Sequence, residues 1–132
     1  MSMLRFAGVL MMFTGLSVYC AARPVVIQEF TGTWCPYCYA AGGALDRVEQ
    51  DYSREEVIIL AYHDSDAYAT SFGDSAATYY DINNFPTVLF NGFNPVVGGF
   101  NVYSGESGIA SMYAQYVTEI ENEQDRTKDL TP

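Results

Sequence analysis

Thr31-Gly32-Thr33-Trp34-Cys35-Pro36-Tyr37-Cys38-Tyr39-Ala40-Ala41 is the stretch that decides the fold. An apolar run, Val25-Val26-Ile27, comes just before it, and a helix-period pattern comes just after. Two cysteines, separated by two residues, therefore sit where a strand turns into a helix. The first turn of a helix carries unpaired N–H groups and the positive end of the helix dipole. Both favour a thiolate over a thiol, so Cys35 is expected to be nucleophilic. Cys38 follows about one turn later, near enough to close a disulfide with it.

Outward from this stretch the chain alternates between strand and helix signals. Arg23 to Phe30 reads as a buried strand, with Gln28 and Glu29 inside an apolar run and Pro24 at its start. From Pro36 to Tyr52 the apolar positions Tyr37, Ala41, Ala44, Leu45, Val48 and Tyr52 fall on one helical face. Pro36 suits a first helical turn, and Gly42-Gly43 is expected to permit close packing against the sheet. Val57 to Tyr62 is a second strand, so strand, helix and strand form a right-handed parallel unit.

The loop His63-Asp64-Ser65-Asp66 follows, with Asp66 expected to cap a helix that carries Tyr68, Phe72, Ala76 and Tyr79 or Tyr80. Gly73-Asp74-Ser75 is a potential break in that helix. Asn83 to Thr87 is a turn into Val88-Leu89-Phe90. Asn91-Gly92 is a hairpin signal, with the loop extending through Pro95 to a short strand, Val96-Val97. Ser104 or Ser107 is expected to cap a last helix with the face Ile109, Met112, Tyr113, Tyr116, Val117 and Ile120. The order is β-α-β-α-β-β-α: an α/β fold with a central mixed four-stranded sheet and helices on both faces.

A chain of 132 residues suffices for one domain with a real core. Its 49% hydrophobic content fits a folded globular protein. A formal net charge of −10 disfavours nucleic acid as a partner, because phosphate is repelled. Residues 1–22 hold one charge, Arg5, followed by the apolar run Phe6 to Ala22. They read as a signal peptide cleaved after Ala22; an uncleaved anchor and a lipid-modified Cys20 are the alternatives. The expected organisation is a signal segment over 1–22, a domain over 23–123 and a polar tail over 124–132 that frays. A membrane is involved only if the first segment stays attached. Cleavage leaves two of the three cysteines, both in the Cys35–Cys38 pair. So short a loop removes little unfolded-state entropy, which makes a reactive pair the better reading.

The element order and motifs together resemble the thioredoxin family over nearly the whole mature chain, from Arg23 to about Glu123. Trp34-Cys35-Pro36-Tyr37-Cys38 looks like the family's active-site motif. Phe85-Pro86-Thr87 resembles its cis-proline turn, and Val97-Gly98-Gly99 the glycines that end its last strand. The signal-like start points to the exported, thioredoxin-like thiol–disulfide oxidoreductases of bacterial envelopes, in the periplasm or cell envelope. The Pro36-Tyr37 pair is the one seen in glutaredoxins, whereas Trp34 is thioredoxin-like. The dipeptide between the cysteines tunes the potential, so the direction of electron flow stays open.

The resemblance implies exchange with protein thiols and disulfides and an unidentified redox partner, without a cofactor or metal, by a monomer. Cys35 is then the nucleophile and Cys38 the resolving thiol. Glu29 stands six residues before Cys35, where thioredoxins carry a buried aspartate. Inside an apolar strand it would be desolvated and suited to accept the Cys38 proton; on the sheet edge it would be solvated and inert. Trp34, Pro36, Tyr37, Phe85, cis-Pro86 and Thr87 form the implied substrate-binding set, with the Phe85 backbone placed to pair with an extended segment. Tyr37 equally fits the core face of the helix, and Trp34 a core position.

His63 lies at the C-terminal end of the second parallel strand and either tunes the charge near Cys35 or serves as a solvated loop residue. A zinc site would need about four ligands, and only His63 and carboxylates remain to complete it. A peroxidase on the same fold would want a threonine where Gly32 stands. The alternative from another class is a binding, chaperone or metal-delivery module with little exchange activity.

Overall fold

A computed structural model of the protein describes residues 23–128, with side chains through Arg126. The strands are β1 (Val25–Thr31), β2 (Val57–His63), β3 (Thr87–Phe90) and β4 (Phe93–Val97). The helices are α1 (Cys38–Asp51), α2 (Ser71–Tyr79) and α3 (Gly105–Lys128), and a 3-10 turn at Val102–Ser104 leads into α3. The sheet runs β2-β1-β3-β4, with β1 parallel to β2, and with β3 antiparallel to both β1 and β4. This is the expected mixed four-stranded sheet in the expected element order.

Strand alternation divides the residues of β1 between two layers. Val25 and Ile27 join Val88 and Phe90 against α1 and α3, where Ala40, Ala41, Ala44, Leu45, Val48, Met112, Tyr116 and Ile120 complete a fully packed core. Phe30 points the other way, onto Tyr62 and Tyr80, with ring centroids 5.1 and 6.1 Å away. The small residues of α1 let it lie close to the sheet, and burying a side chain such as Ile27 or Val48 contributes about 1.5–3 kcal/mol. Glu29 shares the face of Ile27, so it is enclosed between the sheet and the α1/α3 layer rather than lying at an edge.

The structure departs from the sequence reading in several places. α1 begins at Cys38, with Tyr37 at its N-cap, so Pro36 lies outside the helix. Tyr37 is 53% exposed and is not a core residue. Gly43 lies under Ile109 of α3 rather than against the sheet, and Gly42 faces open space. The cap of α2 is Thr70, whose hydroxyl accepts from the Gly73 N–H at 3.1 Å. Asp66 is spent elsewhere. α2 runs unbroken through Gly73-Asp74-Ser75, and the expected apolar face packs poorly, since Phe72 is 70% exposed and Tyr79 81%.

The β3–β4 loop is two residues long. Asn91 and Gly92 have φ of 53° and 78°, the left-handed pair that a tight primed turn requires. Pro95, expected in the loop, lies in edge strand β4, where a missing N–H is tolerated. Asn101 caps the 3-10 turn that leads into α3, its side-chain oxygen accepting from the Tyr103 N–H at 3.1 Å, and Ser104 stands immediately before α3.

α3 continues to Lys128, past the start of the expected fraying at Gln124. Its apolar stripe carries on to Glu123, a buried carboxylate. Glu123 accepts from the side-chain amides of Asn91 (2.8 Å) and Asn94 (3.2 Å) and pairs with Arg126. Asn91 also exchanges two bonds with Val26, from its own N–H and to its side-chain oxygen, both 2.8 Å. One buried acid thus ties α3 to the hairpin and the hairpin to β1. The expected signal segment over 1–22, and positions 129–132 of the expected tail over 124–132, lie outside the described residues. No helix among the described residues is long and apolar enough to cross a membrane.

Candidate active site

β1 ends at Thr31, and the next six residues bridge to α1 in two tight turns. Cys35 N–H donates to the Gly32 carbonyl at 3.0 Å, and Cys38 N–H to the Cys35 carbonyl at 3.3 Å. This winding brings the cysteine Cα atoms to 5.4 Å, and the two sulfurs form a disulfide. Cys38 is the first residue of α1, and Cys35 lies three residues ahead of it, before the N-cap Tyr37. Each cysteine is only 8% exposed.

Two walls flank the disulfide. The first is the Phe85–Pro86 turn, whose peptide bond is cis as expected. Pro86 is buried, and its carbonyl accepts from Gly98 N–H at 2.8 Å. Gly99 then passes between the Pro86 ring and the backbone of Tyr37. A Cβ at Gly99 would come within 2.4 Å of the Tyr37 carbonyl oxygen and 3.2 Å of Pro86 Cγ. Glycine is thus what lets the end of β4 close the cis-proline turn against the cysteine loop. Thr87 is buried and donates to the Asn84 carbonyl at 2.7 Å, so its side chain holds the turn rather than facing outward.

The second wall is Trp34, 51% exposed and therefore not a core residue. Its ring meets Phe85 edge-on at 5.4 Å, and its indole N–H donates to the Asp64 carbonyl at 2.7 Å. Trp34, Tyr37 and half-buried Phe85 leave an aromatic rim around the disulfide, with exposed Pro36 at its front.

On β1, two residues before that strand ends, Glu29 is 6% exposed, and its Oε1 has no hydrogen-bond partner among the described residues. Burial pushes its carboxyl up to about 7; His63 opposes the shift and Asp46 adds to it. Tyr116, on the same face, is likewise buried with its hydroxyl unpaired, and its own acidity is suppressed by burial and by Glu29.

His63 does not reach outward as a loop residue. Its Nδ1 meets Asp66 Oδ2 at 2.7 Å, and its ring packs on Tyr68 at 5.2 Å. Asp66 also accepts from Thr33 N–H and Tyr68 N–H, each at 2.8 Å. Burial alone would raise the Asp66 carboxyl, but the bonds from His63, Thr33 and Tyr68 hold it well below the usual carboxylate range. The sequence reading missed this knot, and it missed buried Glu123. The latter was visible as the next step of the spacing Tyr116, Ile120, Glu123. Among the described residues no three His, Cys, Asp or Glu side chains converge as a metal site.

The sheet order, the helix layers, the disulfide at the head of α1 and the cis-proline facing it define a thioredoxin-like fold. Comparison with solved structures agrees. A thioredoxin of Malassezia sympodialis superposes with a TM-score of 0.50 at 21% identity, covering 76% of this chain and 80% of that one. Among curated proteins, protein disulfide isomerase-like 1-1 of Arabidopsis thaliana is 28% identical over 81 residues, 61% of this chain and 15% of its own length. A probable protein disulfide-isomerase A6 of Medicago sativa is 29% identical over 65 residues, 49% of this chain and 16% of its own length. The chain thus spans about a sixth of the curated relatives it matches. No family model matches it.

Proposed function

We propose that the protein is an exported thiol–disulfide oxidoreductase that exchanges disulfides with protein substrates through Cys35 and Cys38. The observation that carries this reading is the Cys35–Cys38 disulfide at the head of α1, with the cis-Pro86 turn packed through Gly99 against the backbone of Tyr37 between the two cysteines. The printed names of the two curated relatives point to the same chemistry. Export is supported by the basic-then-apolar pattern of residues 1–22, and by the mature chain keeping only the cysteines of this pair. A monomer of the bacterial cell envelope, needing no cofactor, is the reading that fits.

In the reducing direction, the Cys35 thiolate attacks one sulfur of a substrate disulfide. A mixed disulfide forms and the other substrate sulfur leaves as a thiolate. Cys38 gives its proton to the Glu29 carboxylate and attacks the Cys35 sulfur. The Cys35–Cys38 bond re-forms, and the second substrate thiolate departs. Two electrons have passed to the substrate. Glu29 suits this role because its burial brings its proton affinity near neutrality. The rim of Trp34, Pro36, Tyr37 and Phe85 receives the substrate chain, whose backbone pairs beside Phe85.

The test is reductive cleavage of insulin with a dithiol as electron source. The wild type should turn over, and Cys35→Ser should not. Turnover retained in Cys35→Ser would remove the assignment. A binding or chaperone module is the second reading, favoured by the slight exposure of both cysteines beside half-exposed aromatics. It predicts binding of unfolded chains without turnover in the wild type.

A further inference from the structure

We propose that Asp66 is a positioning residue of the cysteine loop, a role that rests on the oxidoreductase reading above. Three cross-links join the segment 31–34 to the loop 64–66. Asp64 N–H donates to the Thr31 carbonyl at 2.9 Å, Trp34 Nε1–H to the Asp64 carbonyl at 2.7 Å, and Thr33 N–H to Asp66 Oδ2 at 2.8 Å. The Asp66 link differs from the other two. Its acceptor is a side chain rather than a backbone carbonyl, that side chain is only 6% exposed, and the same carboxylate is held by His63 Nδ1 and Tyr68 N–H. It therefore stands as a fixed post, and Thr33, two residues before Cys35, hangs on it.

The consequence is chemical. A dithiol closes to a disulfide in proportion to the local concentration of one sulfur around the other. The turn that carries Cys35 is anchored on its α1 side by the Cys38 N–H on the Cys35 carbonyl, and upstream at Gly32 by the Cys35 N–H. Asp66 supplies the next anchor upstream and, through Thr33, keeps Trp34 on the Asp64 carbonyl. Releasing Thr33 frees the Cys35 side of the ring while Cys38 stays fixed in α1. The sulfurs then meet less often, so the equilibrium moves toward the dithiol. Charge-assisted bonds to backbone N–H groups are among the stronger ones, so the effect should be measurable.

Two variants of the full chain test this. Asp66→Ala removes every acceptor; Asp66→Asn keeps the shape but turns an N–H donor on either Thr33 or Tyr68. The first readout is hydrogen exchange of the Thr33 amide, which does not depend on redox activity. It should quicken at least about tenfold in Asp66→Ala, beyond any change in amides of β1. The second is the equilibrium of the Cys35–Cys38 couple with glutathione, read by thiol alkylation and mass. It should shift at least about threefold toward the dithiol in both variants. Should Asp66→Ala fail to fold, Asp66→Asn carries both readouts.

Unchanged Thr33 exchange in a folded variant overturns the proposal. So does an unchanged equilibrium in a variant whose Thr33 amide has been released. If the wild-type pair fails to equilibrate with glutathione, it is the oxidoreductase reading that fails, and Thr33 exchange still decides whether Asp66 holds the loop.

Discussion

The indole N–H of Trp34 donates to the backbone carbonyl of Asp64 at 2.7 Å, which bolts the residue before Cys35 to the end of the second parallel strand. This bond sets where the aromatic rim stands relative to the disulfide. It exists because Gly32 leaves room: a Cβ there would lie 2.6 Å from the indole nitrogen.

Gly32→Ala should therefore displace the indole and break that bond. Trp34 is the chain's one tryptophan, so its emission reports the change directly. The variant is expected to show a red-shifted spectrum and a rise in KM for insulin resembling that of Trp34→Ala. An unshifted spectrum would place the indole elsewhere.

Glu29 gives a pH prediction. Its carboxyl titrates near 4.5 when unfolded and about 7 when folded. Between these values the folded state holds a proton that the unfolded state has lost, so stability falls as pH rises from about 4.5 to 7 and is level above. The span corresponds to about 3 kcal/mol. Glu29→Gln should abolish that slope, and slow the resolution of mixed disulfides at neutral pH. Urea unfolding across pH reads the first, and quenched single-turnover kinetics the second. A slope unchanged by the substitution would mean the carboxyl is solvated.

Gly99→Ala should damage the site more than the fold. Its Cβ meets a backbone oxygen, which cannot swing aside as a side chain would. Overpacking of this kind costs about 1–3 kcal/mol, and here it pushes the cis-proline turn off the cysteine loop. The expected outcome is a modest fall in the unfolding midpoint with a much larger fall in kcat/KM for protein disulfides. Gly98→Ala, where the added carbon finds open space but the backbone has φ of 86°, is the comparison that separates strain from contact.

Glu123→Ala is the stability prediction. It strands the partly buried amide of Asn91, while Asn94 and Arg126 are exposed and can turn to water. Leaving a buried polar group without its partner costs about 1–3 kcal/mol. Thermal unfolding should show the loss, while Glu123→Gln, which keeps the acceptor, should recover part of it.

The layout of the fold was legible in the sequence because its strand and helix patterns are clean. Val25 to Ile27 and Val57 to Tyr62 are apolar runs, although β2 has one buried residue, Val57, and leaves Ile58 and Leu60 part-exposed, and the spacing Ala41, Ala44, Leu45, Val48 admits one reading. The cysteine pair could be placed between the first strand and the first helix, whereas the roles of Pro86 and the twin glycines rested on the family resemblance. What was hidden depends on partners distant in sequence. Asp66 reads as a cap until Thr33, thirty-three positions away, takes its oxygen. Tyr68, Phe72 and Tyr79 have a helical spacing, yet Tyr68 falls before α2 begins and all three stay exposed. The position of Glu123 continues the spacing Tyr116, Ile120, Glu123, but its burial was hidden, because a single sequence does not display the two asparagines that bond to it.

The most direct test of the account is trapping. With Cys38 changed to Ala, Cys35 retains its attack but loses its resolver, so a disulfide-bearing protein should accumulate as a mixed disulfide on Cys35, seen as a dithiothreitol-sensitive adduct by mass. With Cys35 changed to Ala, no adduct should form. Adducts on Cys38 alone, or none in either variant despite a folded domain, would contradict the assignment of Cys35 as the attacking sulfur.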